Sequence, residues 1–319
     1  MRRVLFAVAF ALSASVVGAC GGSTSSGSPP PTSPPTTAPA PLRAYVSDAG
    51  RGAIYAFSLP LTPTSKAVAV LADNASPGGM AFDPMHRLVV ANASNTGSGG
   101  VQVYTQPIVS GAAASFTLTS DIVHDVKLDA SGNAYVLIIV RDVFGGGADS
   151  IGEFSAPLSG PTQESYSFAQ RAGLYPEPGG FAFDSSGNVW TNGRFGNSTP
   201  QFEKYSPPFG PSNNPVLTIP NSSNGFGLAF DSAGNLYATG PNGIDVYKPP
   251  FSASTLKAFT INAKVSTTYP TFDASGNLYV ANASGHLLEF APPFSGASVP
   301  KVTLALPGAP PSSGIAIGP

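Results

Sequence analysis

Charge is what this chain has least of. Lysine and arginine number 15 and aspartate and glutamate 17 among 319 residues, a formal net charge of −2. Without a basic patch to neutralise phosphates, no nucleic-acid partner is expected. Cysteine is limited to Cys20, which excludes an intramolecular disulfide and any Cys-x-x-Cys metal or redox site. The chain has no His-Glu-x-x-His, Gly-x-Ser-x-Gly, Walker or Gly-x-Gly-x-x-Gly motif, so the common signatures of metalloproteases, serine hydrolases and nucleotide enzymes are missing. What the chain does have is 36 Gly and 33 Pro, with Ala, Val, Phe, Tyr and Thr between them. That composition predicts many short strands and tight turns rather than amphipathic helices.

The first forty residues are an address and a tether. Arg2 and Arg3 precede an apolar run, Val4 to Val17, that is too short to span a membrane and ends in Val17-Gly18-Ala19-Cys20. This resembles the lipobox of bacterial lipoproteins, in which the cysteine becomes the lipidated first residue. The resemblance implies a signal peptide over 1–19 and a membrane anchor at Cys20. It also implies a place in the bacterial cell envelope, at the outer membrane or cell surface. An ordinary secretory signal followed by a chance cysteine is the other reading, and Arg2-Arg3 leaves Sec and twin-arginine export both open. Residues 20–41 carry seven prolines after the cysteine and no large apolar side chain, so they read as a disordered stalk. Extended at ~3.1 Å per residue, the stalk reaches on the order of 60 Å.

From residue 42 onward the chain repeats. Asp-x-x-Gly-Asn stands at Asp129, Asp184, Asp231 and Asp273, and Asp83 opens a degenerate copy, DPMHRL. The spacings from Asp83 to Asp273 are 46, 55, 47 and 42 residues, the length of a four-stranded propeller blade. GGFAFD before the turn predicts a first strand, NVWT a second, QFEKYSPPF a third and VLTIP a fourth. The ends are complementary. Leu42 begins within a second strand, while SSGIAIGP (Ser312–Pro319) resembles an isolated first strand. Their union predicts an all-β, six-bladed β-propeller over 42–319, closed by its C-terminal innermost strand on the N-terminal strands. Asp, Asn and Gly have sufficient reason to recur as turn residues, and no extra carboxylate accompanies them as a calcium loop requires. The repeated PPF at Pro207–Phe209, Pro249–Phe251 and Pro292–Phe294 is read as scaffold, with Phe plugging the gap between blades.

PGGFAFDSSGNVW and YPTFDASGNLYVANASGHLLEF resemble NHL repeats and the related six-bladed propellers of gluconolactonase and virginiamycin-lyase type. The resemblance spans 42–319 and is one of repeat pattern, so it implies the fold and leaves activity open. Lactonases of this type hold a divalent metal at the centre. A calcium or magnesium ion is therefore the cofactor the resemblance implies, although the first-strand glutamate of such sites has no counterpart here. The residues themselves make no cofactor evident.

Exceptions to the repeat nominate a site. Four residues before the aligned aspartate stand Gly79, Asp125, Gly180, Gly227, Tyr269 and Gly314; one position earlier stand Gly78, His124, Gly179, Phe226, Thr268 and Ser313. Glycine suits six strand starts converging on an axis, so His124, Asp125, Tyr269 and neighbouring Phe226 stand out. His124-Asp125 reads either as acid–base or metal-ligand machinery or as side chains that fill the channel and bond to each other or to backbone. Length gives the second signal. The loops around 140–150, 169–180 and 192–200 gather Arg141, Asp142, Asp149, Arg171, Tyr175, Glu177 and Arg194 on the same face, where scaffold-borne loops carry function. His86, His286, Asp48, Asn92 and Asn282 are read as turn and loop-tying residues. The expectation is a monomeric envelope protein that binds a protein, peptide or glycan without catalysis. The competing expectation is a lyase or hydrolase with His124, Asp125 and Tyr269 at the channel mouth.

Overall fold

A computed structural model describes residues 41–319 apart from 73–75, 94–99, 119–121, 139–149, 161–165, 169–176, 195–198, 221–226, 241, 264–267, 283 and 308–313; for 166–168, 177–179 and 194 it describes the backbone. The described strands run in chain order. The first three are β1 (Arg43–Asp48), β2 (Ala53–Ser58) and β3 (Ala67–Ala72). Blade two is β4 (Pro77–Phe82), β5 (Leu88–Asn92), β6 (Gly100–Tyr104) and β7 (Phe116–Leu118). Blade three is β8 (Val123–Leu128), β9 (Ala134–Ile138), β10 (Ser150–Phe154) and β11 (Tyr166–Phe168). Blade four is β12 (Glu177–Phe183), β13 (Val189–Arg194), β14 (Gln201–Tyr205) and β15 (Leu217–Pro220). Blade five is β16 (Leu228–Phe230), β17 (Leu236–Gly240), β18 (Gly243–Tyr247) and β19 (Phe259–Ile261). Blade six is β20 (Thr271–Phe272), β21 (Leu278–Asn282), β22 (His286–Phe290) and β23 (Val302–Ala305). The last strand, β24 (Ile315–Gly318), pairs with β1 and completes blade one in the order β24-β1-β2-β3.

These six antiparallel sheets make a six-bladed propeller with the first strand of each blade innermost. Closure is by sequence-distant pairing: Arg43 lies opposite Gly318, and Val46 opposite Ile315. Two further bonds hold the last residue. Tyr45 Oη donates to the Pro319 carbonyl at 2.9 Å, and Gln106 Nε2 of blade two donates to the same oxygen at 2.6 Å.

The recurring turn is built as its residue types require. Asp273 Oδ1 accepts from the amides of Ser275 and Asn277, both at 2.9 Å, while Oδ2 accepts from Asn277 Nδ2 at 2.8 Å. The same set recurs at Asp129, Asp184 and Asp231. Gly276 sits at φ 79°, the left-handed region in which a Cβ is resisted. In the degenerate copy His86 takes that position at φ 60°. Arg87 replaces the asparagine and donates from Nε to Asp83 Oδ2 at 2.6 Å. The motif is a hairpin device, filled in every one of its five copies by its own side chains.

The same aspartates reach into the core. Trp190 Nε1, Tyr237 Oη and Tyr279 Oη each donate to the motif aspartate of their own blade at 3.0 to 3.1 Å. The rings of Trp190 and Tyr237 then receive two phenylalanines each from the following blade. Trp190 meets Phe230 and Phe251 with centroids 5.8 and 4.9 Å away, and Tyr237 meets Phe272 and Phe294 at 4.9 and 5.7 Å. Tyr135 meets Phe183 and Phe209 in the same edge-to-face manner, at 5.0 and 5.7 Å. One of each phenylalanine pair precedes the motif aspartate and the other belongs to PPF. The scaffold reading of PPF therefore holds, and it extends to every blade. Leu61, Ile108 and Leu158 pack in the other three interfaces after Pro60, Pro107 and Pro157.

Trp190 is wholly buried at one such interface. Trp190→Ala removes the largest side chain of the core, and the expected loss is ~3–5 kcal/mol. Urea denaturation of the variant against the parent measures it.

Candidate functional site

The axis is crowded before any side chain is considered. At Gly79, Gly227 and Gly314 the innermost strands start so close to their neighbours that a Cβ has no room. A Cβ on Gly314 would lie 2.7 Å from Gly79 Cα, and one on Gly79 would lie 2.8 Å from Asp125 Cα. Across the ring, a Cβ on Gly227 would lie 2.7 Å from both Tyr269 Cα and Pro270 Cδ. Real Cβ contacts do not come this close, so glycine is required at these points. Hydroxyls lock the same region: Ser47 Oγ donates to the Gly78 carbonyl at 2.8 Å and accepts from the Gly314 amide at 2.7 Å. Thr239 Oγ1 accepts from the Gly227 amide at 2.9 Å.

Asp125 and Tyr269 are the non-glycine residues of this ring, and they come from opposite blades, three and six. Asp125 is fully buried and Tyr269 nearly so. Asp125 Oδ1 accepts from the Val126 amide at 2.9 Å and from Lys127 Nζ at 2.8 Å. Oδ2 makes no hydrogen bond of ordinary geometry among the described residues, although the Phe181 amide of blade four lies close enough to pull the carboxyl down. The Lys127 ammonium also lies 5.7 Å from the centroid of the Tyr269 ring, within cation–π range. Burial raises the Asp125 carboxyl above the usual carboxylate range, against the pull of Lys127. Burial, and then the negative charge of Asp125, push the Tyr269 phenol upward. The result is a bridge across the channel: carboxylate and ammonium from β8, phenol ring from the segment before β20.

His124 is half-buried and forms the extra residue of a bulge in β8, where Val123 lies opposite Ile138 and Asp125 opposite Leu137. Bulges also open β4 and β12, so three adjacent blades are kinked at the same end. The shortest inner strand is β20, two residues long, because Pro270 has no amide hydrogen to extend the ladder.

The other nominated residues divide by position. Glu177 and Arg194 begin β12 and end β13, where they stand directly opposite each other in the ladder, on the His124 end of blade four. Arg141, Asp142, Asp149, Arg171, Tyr175 and Phe226 lie outside the described residues, as does Cys20. Asp48 and Asn282 tie their loops as expected: Asp48 Oδ1 accepts from the Arg51 amide at 3.1 Å, and Asn282 Oδ1 from the Ser284 and His286 amides, both at 3.1 Å. The fully buried Asn92 differs, for neither end of its amide has a partner among the described residues.

Lys127 is the residue that sequence comparison passed over. Two residues before each aspartate stand Ala81, Lys127, Ala182, Ala229, Thr271 and, in the closing blade, Ala316. The same column comparison that singled out Asp125 and Tyr269, taken one strand period further on, singles out Lys127 and Thr271. The lysine also bears on whether the axial residues could hold a metal. Among the described residues no three His, Cys, Asp or Glu side chains gather as a ligand set, and the axial carboxylate already faces an ammonium 2.8 Å away. A cation so placed repels a second one. These residues do not fit a divalent metal.

Solved structures share the architecture. A protein of unknown function from Bacteroides caccae superposes with a TM-score of 0.59 at 12% identity, covering 86% of this chain and 99% of that one. A gluconolactonase from Xanthomonas campestris, described as important in glucose secondary metabolic pathways, gives 0.50 at 15% identity over 75% and 83% of the two chains. The structural neighbours include gluconolactonase-like propellers. A second protein named as a candidate gluconolactonase matches with a TM-score of 0.50 at 15% identity, over 76% and 85%. At such identities the likeness is one of fold. No family model and no curated protein sequence matches the chain.

Asp125 and the turn carboxylates make opposite contributions to acid stability. Burial raises the Asp273 and Asp184 carboxyls, but hydrogen bonds outweigh it. At Asp273 these come from Asn277, Tyr279 and Ser275; at Asp184 from Trp190, Asn188 and Ser186. Both carboxyls end below the usual range. Their stabilisation is present above the ordinary carboxylate value of about 4 and is lost as pH falls through the lower folded value. Asp125, raised, acts in reverse: the folded state takes up its proton first, which favours folding as pH falls. Urea midpoints followed from neutral pH into acid should therefore fall less steeply in Asp273→Asn than in the parent, and more steeply in Asp125→Asn. Parallel curves for all three proteins would contradict both assignments.

Proposed function

We propose that the chain is an envelope-anchored propeller lipoprotein that binds a protein, peptide or glycan on its loop face and performs no catalysis there. The observation that carries this reading is the pairing of Asp125 with Lys127. A general base needs an unencumbered carboxylate within reach of substrate, whereas this one is buried and spends Oδ1 on an ammonium and an amide. What remains for recognition on that end of the ring is the set of long loops of blades three and four. These carry Arg141, Asp142, Arg171, Tyr175, Glu177 and Arg194 in a chain that is otherwise poor in charge. Loops held by a rigid scaffold are the usual place for such contacts. The lipobox at Cys20 and the proline-rich stalk support display at a membrane surface.

A lyase or hydrolase is the second reading, favoured by the upward-shifted Asp125 carboxyl beside Tyr269. Perturbed titrating groups in a recess are frequent at catalytic centres.

One set of experiments separates the two. Full-length protein is screened on glycan and peptide arrays beside an Arg171→Glu/Arg194→Glu variant, and lactone opening is assayed with parent and Asp125→Asn. The binding reading expects saturable capture that the loop variant weakens at least tenfold, no lactone turnover, and release of the protein from the membrane fraction by Cys20→Ser. Turnover abolished by Asp125→Asn, or capture indifferent to the loop charges, overturns it.

A further inference from the structure

The channel has a second end. The halves of the six inner strands nearest the Asp-x-x-Gly-Asn turns border an open recess of about 400 Å³, and Lys127 is the charged side chain among the residues that line it. That volume far exceeds the ~30 Å³ of one water and falls within the roughly 300–1,000 Å³ of small-molecule pockets. It exists because the column containing Lys127 is otherwise Ala or Thr. Each inner strand is also the edge of its sheet, so unpaired backbone amides and carbonyls face the same space.

We infer that this lower channel is a binding site for a small monocarboxylate, entering from the turn face and held by the Lys127 ammonium. The lysine has three hydrogens. One goes to Asp125 Oδ1, and the only other described contact is with the face of the Tyr269 ring, which accepts no conventional hydrogen bond. Two donors are left, on a side chain about one-fifth exposed that borders the cavity. A carboxylate answers them with two oxygens. Its apolar body meets the partly exposed Phe230 and Phe272, which line the same space. Asp125 cancels the formal charge of Lys127, so the site favours a single negative charge over the two of phosphate. Asp125 and Tyr269, both buried, do not line this volume, and neither do the loop-face residues Glu177 and Arg194.

Full-length protein in detergent is titrated with sodium benzoate and, separately, with inorganic phosphate, by calorimetry and ligand-observed NMR. The comparison variants are Asp125→Asn/Lys127→Met, which removes both charges together and leaves neither buried ion unpaired, and Thr271→Leu, which fills the cavity and keeps the ion pair. Benzoate is expected to bind once per chain, to lose at least tenfold in affinity in each variant, and to be unaffected by Arg171→Glu/Arg194→Glu. Absence of saturable benzoate binding up to ~10 mM, a range weaker than most functional sites, overturns the proposal. So does binding that survives in both variants, or preferential binding of phosphate. Failure of the loop-face reading would leave these outcomes unchanged, because its loop variant, Arg171→Glu/Arg194→Glu, touches residues that do not line this volume.

Discussion

Everything in this molecule depends on how closely six strands can approach one axis. The closest points, Gly314 over Gly79, Gly79 against Asp125 and Gly227 against Tyr269, leave no room for a Cβ. Backbone in such contact needs its polar groups satisfied locally, and the hydroxyls of Ser47 and Thr239 serve that need. The inner ring then fixes the splay of the sheets, and the outer packing follows. Tyr135, Trp190 and Tyr237 each lie between two phenylalanines of the next blade. The ring is closed by β24 on β1, so no inner interface is left unmatched.

The same crowding explains where chemistry is confined. A side chain other than hydrogen enters the ring where the opposing strand yields, and it does so in blades three and six. Asp125 and Tyr269 meet there, with Lys127 beneath them. A buried carboxylate is costly unless it is paired, and the pairing with Lys127 is what makes Asp125 tolerable on the axis. It also commits Oδ1 of that residue to an ammonium. Asp125 and Tyr269 stand at the end of the axis where the inner strands start, and the turn-face end has its own volume.

The repeat was legible because its causes are local. Asp, Gly and Asn at fixed offsets specify one hairpin whatever surrounds them, as the five filled turns demonstrate, and even His86 and Arg87 reproduce the device. Blade count and closure followed from the spacing and from the complementary ends. The meaning of PPF was legible for the same reason, since a phenylalanine at one register recurs against an aromatic at another. Asp125 and Tyr269 were found as departures from glycine, but their relation was not. They are 144 positions apart in sequence, counted from 125 to 269, and only ring closure brings blade three opposite blade six. Lys127 lies outside the glycine column, in an alanine column two residues later, so the partner of Asp125 is not marked by a departure from glycine. The loops of blades three and four offered no repeat against which an exception could be measured.

The central claim is that backbone convergence at the axis, rather than side-chain recognition, dictates glycine in the inner ring. It is tested most directly by comparing Gly314→Ala with Gly187→Ala in urea. Gly187 has a positive φ and no atom near its missing Cβ, so alanine there meets conformational strain alone, on the order of 1 kcal/mol. At Gly314 the new methyl meets the backbone of Gly78 and Gly79, and the expected loss is ~3 kcal/mol or more, as for overpacking against atoms that cannot turn aside. Equal midpoints for the two variants would contradict the account.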